Sequence, residues 1–420
     1  MKLKLYSIIL ILLASITSIS CSDDDYNSGQ VAVTVPVLKL KSDIRNSIDI
    51  LEPQATNSDG KIYVYDNLLF YIAQYSGIHI FNNQNPASPE NIAFIQLEGV
   101  NDISIKNNIL YADNYMDLVV FDITDISDIQ LVNIAEDVLF YYATYPTEPS
   151  AFVQTNVIAS DDQFIANYET IFLERAVVEN NPDSYYNLES PNTFDGSDIA
   201  TNIGVGGSYA KFQIYNNALY ALEDYKLNTF DISDYNNIFL ASEVYMNGWF
   251  GGVLETTFIQ KEYLFIGATD GMHIISIQNE FNPSYLSSFI HATGCDPVVV
   301  NGNTAYITVR GGSLCGSIED QINVIDVSDI SNPVEHSTYF LSSPYGLGVR
   351  NQSLYVCNDE GIHVFDVQNP NQIVLMNSYP ANIKDVIPLD SHLIGVGENV
   401  IYQFNYVNDF ELDIISETLF

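Results

Sequence analysis

Basic residues are scarce in this chain: 14 Lys and Arg stand against 53 Asp and Glu over 420 residues, a formal charge of −39. A body so negative repels phosphate backbones and anionic headgroups, which excludes nucleic acid as a partner. Cysteine is rarer still, with four residues, too few for a scaffold held together by disulfides. Beyond the N-terminus no window of useful length has amphipathic helical periodicity, and isoleucine, valine and tyrosine fill the chain instead. Also missing are a paired-histidine zinc-protease motif, a paired-cysteine metal motif, a nucleophile elbow and a phosphate-binding loop. No catalytic residue, metal or cofactor can therefore be named from a motif.

What the chain does have is repetition. Gly77 to Asn82 (GIHIFN), Asp117 to Asp122 (DLVVFD), Gln321 to Asp326 (QINVID) and Gly361 to Asp366 (GIHVFD) are each followed by a polar turn. Their last large apolar residues, with those of weaker copies, are Phe81, Phe121, Phe230, Ile275, Ile325, Phe365 and Phe404, at steps of 40, 109, 45, 50, 40 and 39. A period of about 40 to 50 is too long for a leucine-rich or hexapeptide solenoid and falls in the propeller range. From Gly99 to Glu136 four short β-rich runs are split by turn residues such as Asn107 and Asn108, which suits one four-stranded blade. The same pattern recurs near 61–97, 209–246, 252–290, 296–341, 345–379 and 384–416. The expected fold is all-β, a β-propeller of four-stranded blades over 59–420, with seven blades and with six or eight as alternatives. The long step implies an insertion at about 137–205.

Lys2 and Lys4 precede an apolar run from Leu5 to Ala14, the pattern of a secretory signal over 1–20 and too short for a membrane span. Ser18 to Cys21 resembles a bacterial lipobox, which implies that Cys21 is lipidated and becomes the first mature residue. The alternative is an ordinary cleaved signal. Residues 21–58 then form an acidic tether and N-terminal extension. Ser22 to Asp25 (SDDD) is similar to the acidic surface-export tag of lipoproteins from one gram-negative group, the alternative being a solvated linker. Acyl chains contribute about 0.8 kcal/mol per buried methylene, enough to anchor a protein that folds in water. These features point to an outer-membrane lipoprotein, cell-surface exposed or facing the periplasm.

Cys295 and Cys315 lie in one repeat, at the start of its first strand and in the loop after its second. Those two connections share a face in a blade, so the thiols can meet, and an exported chain permits the disulfide. Cys357 reads as a small buried strand residue. Gly361 to Pro370 (GIHVFDVQNP) and Gln321 to Pro333 (QINVIDVSDISNP) resemble the LVIVD repeat, a propeller-forming module; with Leu110 to Ile123 and Gly294 to Val300 they also resemble exported lipoproteins that carry it. The resemblance covers about 59 to 408, implies the fold, and supplies no catalytic residues.

His79, His273 and His363 share one repeat position, but in three different blades they cannot converge on a metal. Asp122, Asp231, Asp326 and Asp366 follow the anchors and suit turn capping. One constellation remains. The starts of the inner strands align at Lys61, Asp102, Lys211, Glu255, Asp296 and Asp385, with Gly346 in the sixth blade, around the mouth of a central channel. The neighbouring loops carry Trp249 and Tyr345, and the insertion carries Tyr141, Tyr142, Tyr145, Tyr185 and Tyr186. Aromatic platforms beside charges suit a glycan or a protein partner. The alternatives are that ring residues only bond turn amides, that Asp102, Asp296 or Asp385 serves a carbohydrate-active hydrolase or lyase, or that the chain is a passive component of an envelope complex.

Overall fold

The computed structural model describes residues 29–55, 60–143, 152–179, 185–187, 205–209, 211–246, 252–290, 297–311 and 320–419. The lipobox with Cys21, the acidic run after it, Cys295, Cys315, Trp249 and Asp296 lie outside the described residues. The chain forms two compact units, one of residues 42–141 and 196–420, the other of residues 1–41 and 142–195.

Among the described residues the larger unit contains seven of the eight sheets, each antiparallel and built on four strands consecutive in sequence. The second sheet is typical: Ile103–Lys106, Ile109–Asn114, Asp117–Asp122 and Gln130–Ala135 lie side by side in that order. Its first hairpin turns at Asn107 and Asn108, both at positive φ, the conformation that a two-residue turn needs if it is to match strand twist. Asp66, Asn216, Lys261, Gly302 and Asn351 take positive φ at the matching hairpins of other sheets. First strands of neighbouring sheets touch one another, as Leu254–Gln260 does Val298–Asn301, and Leu347–Arg350 does Asp385–Pro388, so the first strands are innermost.

Packing between sheets explains why the repeat has an anchor. Seven apolar cores each join two consecutive sheets, and each contains one of the seven anchors, turned toward the preceding sheet. Phe121 lies in the core of the first and second sheets, Phe365 in that of the fifth and sixth. Every sheet also has a β-bulge where its third strand reaches the anchor, which sharpens the local twist and re-aims the ring.

Phe81 completes the circuit. It packs with Tyr71 of the first sheet against Ile387, Ile394 and Ile401 of the seventh. Beside this core, Asn83 and Gln403 exchange two amide hydrogen bonds of 3.0 and 2.7 Å, and Ser416 Oγ donates to the Pro86 carbonyl at 2.7 Å. Among the described residues no sheet is assembled from both ends of the chain. The first sheet instead gains a strand on each edge, Val205–Gly206 along Gly60–Tyr65 and Asp49–Leu51 along Glu90–Gln96. Upstream of that outer strand, Arg45 on the short helix Lys41–Asn46 forks onto buried Asp117 through bonds of 2.7 and 2.8 Å and reaches Glu136 at 2.7 Å.

In the smaller unit Gln30–Leu40 pairs antiparallel with Gln163–Glu174 and parallel with Phe152–Gln154, which pairs in turn with Tyr185–Asn187. Val31, Val33, Val35 and Val178 form its core. The extension before residue 58 and the insertion therefore share one sheet. Among the described residues no helix is long and apolar enough to cross a membrane.

Candidate functional site

The inner strands of the second to seventh sheets contact one another in order, and Val205–Gly206 touches those of the first and the seventh, so the strand starts gather at one end of the larger unit. Of the residues expected there, Lys61, Asp102 and Asp385 are buried, at 3%, 1% and 7% exposure, and Gly346 is buried beside them. Lys211, Glu255 and Tyr345 are half-buried.

Asp102 is held from three sides. Its Oδ2 accepts the Lys211 amide at 3.1 Å and lies 3.7 Å from Lys61 Nζ, while Oδ1 accepts the Ile103 amide at 2.9 Å. Lys61 also donates to the carbonyl and, at 3.1 Å, to the side-chain oxygen of Asn101. A second carboxylate, Asp113, accepts the amides of Asn101 and Asp102, both at 2.7 Å. Asp385 plays the matching part on the seventh sheet. Its Oδ1 accepts the Ser208 amide and hydroxyl at 3.2 and 2.9 Å and the Val386 amide at 2.9 Å. Ser208 Oγ accepts in turn from the Leu347 amide at 2.9 Å.

These bonds trace a single stretch of chain. Val205 and Gly206 pair with the first sheet, and Ser208 bonds to the sixth and seventh. The charges of Asp385, Arg310 and Glu255, on the seventh, fifth and fourth sheets, act on Tyr209, and Lys211 meets Asp102 of the second as it leads into the third. The chain returning from the insertion thus meets the first, second, sixth and seventh sheets before it enters the third. It fits only because two glycines let it approach: a Cβ on Gly207 would lie 1.5 Å from Asp385 Oδ2, and one on Gly346 2.1 Å from Oδ1.

Burial dominates the electrostatics. Loss of water raises Asp102 and Asp385 to about 7 and Asp113 to about 6, with the amide donors pulling each back and the Lys61 ammonium also opposing the rise at Asp102 and Asp113. Burial likewise pushes the Tyr209 phenol well up. Backbone amides engage both oxygens of Asp102, and Oδ1 of Asp113 and of Asp385.

Farther out, Tyr345 lies between two cations, with Arg310 Cζ 5.0 Å and Lys384 Nζ 4.4 Å from its ring centre. Its hydroxyl donates to Asp359. Tyr141, expected from the insertion, packs edge-on against Tyr115 of the second sheet at 4.7 Å. Sequence reasoning missed Asp113, Ser208, Tyr209, Arg310 and Lys384. Asp113 carried a signal, as an acid inside an apolar strand; the others become neighbours only through ring closure.

The three repeat histidines stay in their own sheets. His363 bonds Asn358 and Ser378, each at 2.9 Å, His273 bonds Asp270 at 3.1 Å, and His79 packs on Phe94 with burial lowering it to about 4. Among the described residues no cluster of His, Cys, Asp and Glu could hold a metal. Cys357 is fully buried in a strand.

A comparison with protein-family models finds none that matches the chain, and a comparison with curated proteins finds none either. Solved structures are similar. The periplasmic gluconolactonase of Pseudomonas aeruginosa aligns with a TM-score of 0.54 at 9% identity, covering 89% of this chain and 96% of that one. A protein from Lactobacillus plantarum aligns at 0.50 and 10% identity over 88% and 95%, and a functionally unknown protein from Desulfotomaculum acetoxidans at 0.50 and 11% over 86% and 96%. At such identity the likeness shows the fold alone: an all-β propeller of four-stranded antiparallel sheets.

Proposed function

We propose that this chain is an exported, lipid-anchored propeller of seven blades that binds an extracellular glycan or protein partner without transforming it. The observation that carries the reading is the engagement of Asp102 and Asp385 by the amides of Lys211, Ser208 and Val386. A general acid or base needs an oxygen within reach of a substrate proton. Here the strand-end carboxylates brace the returning chain, and the groups near them, the half-buried Tyr345 ring and the exposed Lys384, are suited to contact.

Within this reading the seven sheets and seven inter-sheet cores are the blades of an LVIVD-type ring. Cys21 carries the acyl anchor, Cys295 and Cys315 form a disulfide, and Trp249, Glu255 and Tyr345 belong to the binding face around Asp296. The test offers the full chain a panel of neutral polysaccharides and assays both binding and the release of new chain ends. Binding without new ends is expected. Release that disappears in Asp385→Asn or Asp102→Asn would establish the hydrolase or lyase reading instead.

A further inference from the structure

Eleven described non-glycine residues have positive φ, and seven of them are Asn or Asp, the types that tolerate it. Tyr75 and Tyr115, at 58° and 54°, are the two aromatic exceptions. They occupy the same place in adjacent sheets, the turn from second to third strand, six residues before the anchors Phe81 and Phe121. Their rings lie 6.4 Å apart and only 19° from parallel, and Tyr141 stands at 72° to Tyr115. The Tyr115 hydroxyl donates to Glu98 Oε1 at 3.1 Å.

The surrounding backbone enforces this arrangement. Tyr75 donates its amide to Val100 at 2.7 Å and accepts from Gly99 at 3.1 Å, and Tyr115 donates to Gly99 at 3.4 Å. Gly99 itself is at +86°, and a Cβ there would fall 2.3 Å from the Tyr115 ring. Burial repays the strain at Tyr115, which is 9% exposed. It does not at Tyr75, which is 46% exposed. A bulky residue held in a disfavoured conformation without being buried marks a position kept for contact rather than for stability.

We propose that Tyr75, Tyr115, Tyr141 and Glu98 form a saccharide subsite, with the exposed part of the Tyr75 ring packing on an uncharged pyranose ring and the phenols and carboxylate at its margin bonding sugar hydroxyls. The assignment rests on the binding function proposed above and locates it on the first two sheets. Burial raises the Tyr115 and Tyr141 phenols above their ordinary range, so both remain hydroxyl donors. Stacked on Tyr115, the Tyr75 ring presents a single flat aromatic surface, whereas a quaternary ammonium is enclosed by rings on several sides. A formal charge of −39 disfavours uronates and sulfated sugars.

The experiment titrates the full chain, Tyr75→Asn and Tyr75→Phe with cellohexaose, xylohexaose, mannohexaose and laminarihexaose by calorimetry, and records each protein's melting midpoint. At least one hexaose should bind. Tyr75→Asn should weaken it tenfold or more with an unchanged or higher midpoint, because Asn accepts the backbone conformation, while Tyr75→Phe should stay within about threefold of the parent. Unchanged affinity in Tyr75→Asn would remove the subsite and leave the binding function standing. A midpoint several degrees lower would make Tyr75 a structural residue and overturn the assignment. Binding of none of the four sugars would overturn the subsite together with the glycan form of the binding function, and displacement of a bound hexaose by tetramethylammonium would reassign the platform to organic cations.

Discussion

The two ends of the sheets follow different rules. Where the third strand passes to the fourth, five sheets use the same device: Asn82, Asp122, Asp231, Asp326 and Asp366 each accept the amide two residues on, at 2.8 to 3.0 Å. Three residues later Asn85, Asp125, Asp234, Asp329 and Asn369 repeat the bond at 3.0 to 3.3 Å. At the opposite end the corresponding turns differ. One presents Tyr75, one Tyr115, a third sets Lys226 between Glu223 and Glu243, a fourth ties Asp270 to His273, and a fifth joins Asp359 to Tyr345. One end is written by the requirements of a tight turn and the other is released from them. Chemistry specific to this chain is therefore concentrated at the varied end.

Three measurements sharpen the contrast. Phe365→Ala removes an anchor common to both descriptions of the fold and should cost about 3–5 kcal/mol, read from denaturant unfolding. A loss below about 1 kcal/mol would mean that the inter-sheet cores are not the unit of stability. Asp385→Asn tests the varied end. The folded protein holds Asp385 at about 7 against an ordinary 3.8, so it binds more protons than the unfolded chain between those values. The stability of the parent relative to Asp385→Asn should accordingly fall as pH rises from about 4 to about 7 and level off above. A difference in melting midpoint that is flat from pH 5 to pH 8 would show that Asp385 is not buried as described. Smallest is Asp326→Ala at the repeated end, where one exposed turn bond is lost for about 1 kcal/mol or less, with no effect on sugar binding.

Much of the fold was legible because it depends on local pattern. The anchors could be counted, and the hairpin turns at Asn107 and Asn108 and the Asx turns at Asp326 and Asp366 are decided by a few adjacent residues. The strand-end ring was legible as a set of positions, since Lys61, Asp102 and Asp385 follow from strand alignment. Its bonding was not. That Asp385 would meet Ser208, 177 residues earlier in the chain, depends on where the insertion returns, and no period encodes that path. Tyr75 and Tyr115 were equally out of reach, because a tyrosine in a turn is unremarked until its backbone angle is known. The strand Gln30–Leu40 escaped for a related reason, its partners lying beyond residue 150.

The circuit is closed by side chains, with no sheet among the described residues drawn from both ends of the chain, and this bears on how such a molecule is made. The four consecutive strands of each sheet are encoded by one uninterrupted stretch, Val205–Gly206 being a later addition to the edge of the first, and the Phe81 core that joins last to first is of the same kind as the six others. A gene segment of one repeat can therefore be copied, lost or moved in order without separating the four strands it encodes. The 39- to 50-residue steps between anchors are the trace of that freedom. The one long step shows where a segment of another kind was accepted between two complete units.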